Sequence, residues 1–414
     1  MKDVIRISTA GSVDDGKSTL IGRLLYETKS LKADQLQHIE EKSILSNKGY
    51  IDFSLVTDGL LTERRQGITI DVSYIYLQTE FGRYIIADSP GHVEYTRNMV
   101  TGSSTADAAI ILLDAQKGVS EQTIRHIRIA SLLGIPQLVF AINKMDLIDY
   151  NQDEFDRIRK DILDLHQPIN GIFQERHFIP ISALHGDNIV HESTNFSWYE
   201  GRVLIDIIED LKTFHSPSDD AVLNVQYVLR PKDEWGTVHR GYAGKIACGR
   251  FTTGMNVTVS PGGMHSSVKR IEHLGEPVEI VNTDENVTLY LNDHIDISRG
   301  SVIVSNPHSL IPTTRINATI CWMERACLEI GGKFWIQHGV TRILCIVSEV
   351  EGKMNLLTGE IQDVKRLEMN DLGRVQFQLG QQLLVRPFAE NKSLGSFILI
   401  NYLTNNTAGV GFVL

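Results

Sequence analysis

The sequence predicts an α/β domain with a mostly parallel sheet, followed by two all-β barrel domains. Three observations lead there. Short apolar runs alternate with helically spaced residues across positions 1–215. Beyond about residue 216 helical spacing largely vanishes and period-two alternation replaces it. A second break, near Asn306-Pro307 or Ile311-Pro312, divides the β-rich remainder. The length agrees, since 414 residues at roughly 150 per domain make two or three domains. The expected domains are 1–215, 216–310 and 311–414.

In the first segment, Val4-Ile5-Arg6-Ile7 and Tyr84-Ile85-Ile86-Ala87 read as strands. Ala108-Ala109-Ile110-Ile111-Leu112-Leu113 and Leu138-Val139-Phe140-Ala141-Ile142 are apolar throughout, as parallel strands covered on both faces are. Between them Ile127, Ala130 and Leu133 recur at helical spacing, and Gly134 with Pro136 supplies a stop. Strand, helix, strand in repetition means an α/β fold. In the second segment, Val287, Leu289 and Leu291 alternate with Thr288 and Tyr290, and glycines such as Gly249, Gly254 and Gly275 punctuate the chain. In the third, Ile316, Ala318, Ile320 and Trp322 share a face, and Val375, Phe377 and Leu379 share another. Trp322 and Trp335 are expected in barrel core.

The composition narrows the function classes. Hydrophobic residues make up 42% and charged residues 22%, which excludes a wholly disordered or collagen-like chain. A spanning helix needs about 20 apolar residues, and the longest unbroken aliphatic run is Ala108 to Leu113, so no membrane is expected. The start, Met1-Lys2-Asp3-Val4-Ile5-Arg6, has no apolar signal core. Cys248, Cys321, Cys327 and Cys345 make no disulfide framework, cytoplasmic residence is expected, and Cys321 with Cys327 lacks zinc spacing. With 40 basic against 51 acidic side chains the net charge is −11, which argues against nonspecific nucleic-acid binding.

Gly11-Ser12-Val13-Asp14-Asp15-Gly16-Lys17-Ser18 matches the phosphate-loop pattern completely, between a strand and a helix that opens with Thr19-Leu20. Glycines let the backbone wrap a polyphosphate, so several amides converge on its oxygens. The helix dipole adds partial positive charge. Lys17 is expected at the β- and γ-phosphates. Ser18 is expected on Mg²⁺, a cation that prefers hard oxygen ligands.

Asp88-Ser89-Pro90-Gly91 follows the second strand. Asp88 there can hold Mg²⁺ through water, and Gly91 lets its N–H approach a γ-phosphate. Thr69, in Gly67-Ile68-Thr69-Ile70-Asp71, lies between these two elements. Its hydroxyl can complete the magnesium shell when triphosphate is bound, as a switch segment does. Asn143-Lys144-Met145-Asp146 closes the fourth strand. A carboxylate there accepts from guanine N1–H and from the exocyclic amine. Adenine offers neither donor, so it leaves the carboxylate unpaired. Ser182-Ala183-Leu184, after Phe178-Ile179-Pro180-Ile181, is expected beside the base.

These elements stand in the order of GTPases, and Gly67-Ile68-Thr69-Ile70 with Pro90-Gly91-His92 resembles the translation-factor GTPases such as elongation factor Tu. One branch fits best. The run Asp14-Asp15-Gly16-Lys17-Ser18-Thr19-Leu20-Ile21-Gly22-Arg23-Leu24-Leu25 resembles the GTPase subunit of bacterial sulfate adenylyltransferase. So do Gln66 to Val72, Glu94-Tyr95-Thr96-Arg97-Asn98-Met99, Leu132-Leu133-Gly134-Ile135, Gly186-Asp187-Asn188 and Trp198-Tyr199-Glu200-Gly201. The resemblance covers the whole chain and implies an α/β P-loop GTPase domain followed by two β-barrels. It implies binding and hydrolysis of GTP with Mg²⁺, driving adenylyl sulfate formation from ATP and sulfate on a smaller catalytic partner subunit. By position it assigns Ser18 and Thr69 to magnesium, Asp88 to its outer shell, and Asn143, Lys144 and Asp146 to guanine. It makes His92 the residue that positions the attacking water.

Details separate the branches. Asp15 stands where elongation factor Tu carries histidine, which favours the sulfate branch over the alternative, an elongation-type GTPase delivering aminoacyl-tRNA. Ser89 replaces a more usual threonine or cysteine, and Asn401 stands where the family usually has aspartate. With a single phosphate loop, adenylyl transfer is expected on another polypeptide, and the fused adenylyl-sulfate kinase of some family members is not expected. Arg64 and Arg65 fall in the expected switch, as phosphate or partner contacts or as a solvated face.

Overall fold

Parallel pairing explains why the longest apolar runs of the first segment are buried from end to end. The computed structural model describes residues 4–31, 36, 37, 39, 41, 43, 51–56, 71–90, 96–165, 175–213, 220–230, 240–305 and 310–414. They group into two units, Met1–Phe214 with Asn355–Glu360, and His215–Met354 with Ile361–Leu414. Thr69, Gly91, His92, Arg64, Arg65 and the breaks expected at 215/216 and at Asn306-Pro307 lie outside the described residues.

In the first unit the order is β1 (Ile5–Ala10), α1 (Lys17–Glu27), β2 (Ser73–Gln78), β3 (Arg83–Asp88), α2 (Thr96–Ser103), β4 (Ala108–Asp114), α3 (Glu121–Leu132), β5 (Gln137–Asn143), α4 (Gln152–Asp164), β6 (Glu175–Pro180) and α5 (Leu204–Asp210). The strands form one sheet in the order β2-β3-β1-β4-β5-β6. Only β2, at the edge, runs antiparallel to its neighbour. Every residue of β4 and β5 is buried, as strands covered on both faces must be. Strand β2 alternates instead, because one of its faces meets solvent.

Strand β1 begins at Ile5 and continues to Ala10, beyond the apolar Val4–Ile7 run. The reason is that Ser8 and Thr9 are buried but satisfied. The Ser8 hydroxyl lies 2.5 Å from that of Ser103, and Thr9 donates to Asp88 Oδ1 at 3.2 Å. Helix α3 also differs in its packing face. Ile127 is half-buried, and the buried side carries Thr123, His126, Ile129 and Ala130. Ser120 caps this helix, its hydroxyl accepting from Thr123 N while Thr123 Oγ1 accepts from Ser120 N. At the other end Gly134 adopts a left-handed φ of 60°.

Register positions the loops. Thr9 pairs with Asp88, Ala10 with Ile111, Asp114 with Asn143, and Ile142 with Pro180. Apart from Ile111, midway along β4, the paired residues lie at or next to the carboxyl ends of parallel strands. The loops after β1, β3, β4, β5 and β6 therefore open along one sheet edge, where α/β folds place ligands.

The second unit holds two closed antiparallel rings of six strands. The first comprises β7 (Val222–Leu229), β8 (Gly241–Cys248), β9 (Asn256–Ser260), β10 (Met264–His273), β11 (Asn286–Leu291) and β12 (Val302–Val304), linked in the order β9-β12-β7-β8-β11-β10 and back to β9. The second comprises β13 (Ile311–Trp322), β14 (Lys333–His338), β15 (Thr341–Met354), β16 (Leu372–Val385), β17 (Ser396–Asn401) and β18 (Thr407–Val413), linked β14-β17-β18-β13-β16-β15 and back to β14. Closure leaves no open edge within either ring. Leu223, Tyr242 and Leu289 fill the first interior, and Ile316, Ile320 and Phe377 the second. Val222, Cys248, Leu310 and Leu394 pack between the rings, and Arg386 pairs with Asp220 at 2.8 Å.

Trp322 is fully buried, and its indole N–H donates to the Ala326 carbonyl at 2.7 Å. Trp335 is not core. It lies between the buried Phe334 and Ile336, so the pleat turns it outward. There it packs against Tyr402 at 5.7 Å, with Arg342 5.2 Å above its ring. None of the four cysteines is in a disulfide, and burial pushes the Cys321 and Cys345 thiols up to about 12. Among the described residues no helix is long and apolar enough to cross a membrane.

His126 carries a pH consequence. It is 1% exposed, its Nε2 lies 3.0 Å from the Gln122 amide nitrogen, and burial with help from Lys17 and Arg125 pushes its pKa down to about 3. The folded state keeps the ring neutral, whereas the unfolded chain protonates it below about pH 6.5. Folding stability from this residue is therefore full above pH 6.5 and is lost as pH falls toward 3. Between about pH 7 and pH 5.5 the wild type should lose about 1 kcal/mol more than His126→Gln. Urea unfolding of both at the two pH values checks this, and parallel slopes would reject it.

Candidate nucleotide-binding site

The loop between β1 and α1 is shaped by two left-handed residues, Asp14 at φ 69° and Gly16 at φ 95°. A side chain at Gly16 would run into the Asn143 amide. Asp15 folds the loop onto itself, since its Oδ2 accepts from Ser12 N at 2.6 Å. Burial raises the Asp15 carboxyl above its usual range, against the opposing pull of the Ser12 amide and Lys117. Gly11 packs against Leu112 of β4, and Val13 is half-buried. Ser18 and Thr19 lie in the first turn of α1, both half-buried. Such a loop presents backbone amides and a helix N-terminus to an anion.

Lys17 is 7% exposed and reaches across to the end of β3. Its Nζ donates to the Ser89 carbonyl at 2.6 Å and stands 3.8 Å from Asp88 Oδ1. Thr9 holds that carboxylate, donating to Oδ1. The Ser89 hydroxyl is buried without a hydrogen-bond partner among the described residues. The donor set fits a triphosphate with a hard cation. It offers an ammonium, half-buried hydroxyls at Ser18 and Thr19, a fixed carboxylate at Asp88, and no thiol.

The other end of the site is built from the loops after β5 and β6. The Asn143 amide donates to the Asp15 carbonyl at 2.8 Å, and its Oδ1 accepts from Ala183 N at 2.9 Å. Lys144 adopts a left-handed φ of 61° and donates to Asp114 Oδ2 at 2.8 Å. Asp146 Oδ1 accepts from the Ser182 hydroxyl at 2.6 Å, and His185 stands 3.9 Å from its Oδ2. Leu184 offers its backbone carbonyl to Arg23 of α1.

The structure thus brings together the phosphate loop, Asp88, Asn143, Lys144, Asp146 and Ser182–Leu184. Thr69, Gly91 and His92 are outside the described residues. Three participants were not anticipated. Asp114, 3% exposed, anchors Lys144. Its signal was an acid closing an otherwise apolar strand. Lys117 stands 3.9 Å from both Asp15 and Asp114. Arg23 reaches the Ser182–Leu184 loop from α1, and no spacing rule marks it.

Comparison with known proteins agrees with this geometry. The family model "Elongation factor Tu GTP binding domain" matches residues 2–224, and "GTP-eEF1A C-terminal domain-like" matches residues 315–414. The chain is 43% identical over 419 residues to Sulfate adenylyltransferase subunit 1 of Bacteroides fragilis (strain YCH46), covering 100% of this chain and 86% of that protein. It is 42% identical to the protein of the same name from Colwellia psychrerythraea, covering 100% and 88%. It is also 42% identical to the bifunctional enzyme CysN/CysC of Mycobacterium tuberculosis, covering 100% of this chain and 68% of that one. Among solved structures, the S. cerevisiae Ski7 GTPase-like domain bound to GDP and inorganic phosphate shares the fold, with TM-score 0.52 and 16% identity over 99% of this chain and 97% of that one. The chain belongs to the sulfate adenylyltransferase subunit 1 family and carries the GTP-binding domain of the elongation factor Tu type.

Asn143 joins the two ends, so its loss has a defined cost. Asn143→Ala leaves the Asp15 carbonyl and the Ala183 amide unpaired in a buried place. The nucleotide-free variant should lose roughly 2–4 kcal/mol of unfolding free energy. Urea denaturation measures this, and a loss below about 0.5 kcal/mol would mean that water replaces the bridge.

Proposed function

We propose that this family member is the GTP-hydrolysing subunit of a sulfate adenylyltransferase. Its hydrolysis of GTP is coupled to adenylyl sulfate synthesis from ATP and sulfate by a smaller catalytic partner subunit, in sulfate assimilation. The observation that carries this reading is the single sheet edge on which Lys17 and Asp146 stand at opposite ends, bridged by Asn143. Full-length identity to subunit 1 proteins supports the sulfate branch over delivery of aminoacyl-tRNA. The word "subunit" in those names supports a second polypeptide. We also propose cytoplasmic residence and no nucleic-acid partner. For the organisation we propose domains 1–215, 216–310 and 311–414, supported by the separate closure of the two rings.

In this reading the amides from Gly11 to Thr19 wrap the α- and β-phosphates. Lys17 exchanges its bond to the Ser89 carbonyl for phosphate oxygens. The Ser18 and Thr69 hydroxyls would hold Mg²⁺, and Asp88, kept in place by Thr9, would support it from the outer shell. Bound there, the cation would supply charge neutralisation at the phosphates. Gly91 donates its N–H to the γ-phosphate, and His92 holds the attacking water in line, where position matters more than proton removal. At the base, Asp146 accepts from guanine N1–H and from the exocyclic amine. Ser182 orients that carboxylate, and the Ala183–Leu184 backbone flanks the ring. Lys144 pairs with Asp114, which sets the turn that carries Asp146.

Three measurements test the reading. Asp146→Asn should weaken GTP by at least about a hundredfold and gain xanthosine triphosphate, because the amide donates where guanine also donates. Unchanged GTP affinity would reject the base assignment. His92→Ala should bind GTP normally and hydrolyse it roughly 10- to 100-fold more slowly, and normal turnover would remove His92 from the mechanism. Coexpression with a smaller adenylyltransferase subunit should give adenylyl sulfate formation that rises with GTP. Equal formation without GTP would sink the coupling.

A further inference from the structure

We propose that Arg23 is a positioning residue for the purine-reading loop and so a determinant of base selectivity. This deepens the guanine-site reading above and rests on it. Arg23 lies on α1, the helix that leaves the phosphate loop, and its side chain is 15% exposed. Its guanidinium uses all three nitrogens and one flat face. Nε donates to the Ala183 carbonyl at 3.3 Å, and one terminal nitrogen donates to the Leu184 carbonyl. The other terminal nitrogen reaches Glu27 Oε1 at 3.4 Å. The flat face lies 4.5 Å from the Phe53 ring centre. A planar fork with fixed donors suits two successive carbonyls and an aromatic surface at once.

Those carbonyls belong to the loop whose amide side is held by Asn143 and whose Ser182 hydroxyl bonds Asp146. The loop is therefore gripped from two sides, by a carboxamide at an N–H and by a guanidinium at the C=O groups. Local sequence allows the close approach. Gly186 turns the loop at φ 88°, and a Cβ there would stand 2.5 Å from Glu27 Oε1. Gly22 lets the Phe53 backbone sit directly on α1. Phe53 and Tyr26 pack with ring centres 5.0 Å apart, which fixes the aromatic under the arginine. Without the fork, the Ala183 and Leu184 carbonyls lose the side chain that holds them, and the base end loosens while the phosphate end keeps Lys17, Asp88 and Thr9.

The consequence differs from that of a merely structural arginine. Loss of fold integrity weakens every nucleotide alike. Loss of loop position weakens guanine nucleotides and spares binding that rests on phosphates alone. Dissociation constants of GDP and ADP for the full chain are measured for wild type, Arg23→Ala and Arg23→Lys, alongside nucleotide-free melting. We expect Arg23→Ala to weaken GDP about tenfold with ADP nearly unchanged, so the selectivity ratio falls about tenfold. Arg23→Lys keeps the charge but not the fork, and should show most of the same fall. Should Arg23→Ala fail to fold, the lysine variant carries the comparison. An unchanged ratio, or an equal weakening of GDP and ADP, overturns the proposal. The two readings separate cleanly. No guanine preference in the wild type defeats the guanine reading and this proposal with it, whereas a wild-type preference that survives in both variants defeats the role of Arg23 alone.

Discussion

The buried carboxamide of Asn143, 2% exposed at the carboxyl end of β5, gives its N–H to the Asp15 carbonyl and takes the Ala183 N–H on its oxygen. The phosphate loop and the loop after β6 are 128 and 40 residues from it in the chain, yet each depends on that one group. Two constraints must hold for it to work. The parallel register must set Asp114 beside Asn143 and Ile142 beside Pro180, so that the strand ends are level. Position 16 must be glycine, since any side chain there occupies the space of the amide. Sheet register, loop shape and base-end geometry are consequences of the same contact.

Charge is arranged around that bridge in compensating pairs. Lys144 meets Asp114 at 2.8 Å, Lys117 stands 3.9 Å from Asp114 and Asp15, and Lys17 stands 3.8 Å from Asp88. A buried charge without a partner is costly, and pairing with hydrogen bonds offsets that cost. A polyphosphate entering as proposed therefore exchanges partners with Lys17 rather than filling a vacant charge. The site is locally rich in lysine within a chain of net charge −11. Net charge is a poor guide to what a protein binds where opposite signs are paired this closely.

The β-rich half shows how far pattern reading reaches. Alternation placed Ile316, Ile320 and Trp322 inward, and all are buried. The same alternation, applied one strand later, puts Phe334 and Ile336 inside and turns Trp335 outward, against the expectation of barrel core. Position on the pleat outranks hydrophobicity, and Tyr402 with Arg342 supplies the outer cover. Strand β1 erred the other way. The apolar run stops at Ile7, but Ser8 and Thr9 continue the buried strand because Ser103 and Asp88 satisfy their hydroxyls from 95 and 79 residues away.

What the sequence determined by itself was local. The two fully buried strands, the phosphate-loop spacing, the acid that closes β3, Asn143 to Asp146 and the family resemblance are all readable within short windows, because apolar runs and glycine positions act through neighbours in the chain. What the tertiary structure decided was which distant groups complete one another. Asp114 under Lys144, Lys117 beside Asp15, Arg23 on the carbonyls of Ala183 and Leu184, and Asn143 joining two loops are contacts across 30 to 161 residues. No spacing rule encodes them. They arise only when the parallel sheet sets its carboxyl ends level and folding excludes water from the polar groups between, so that each buried donor must find its acceptor there.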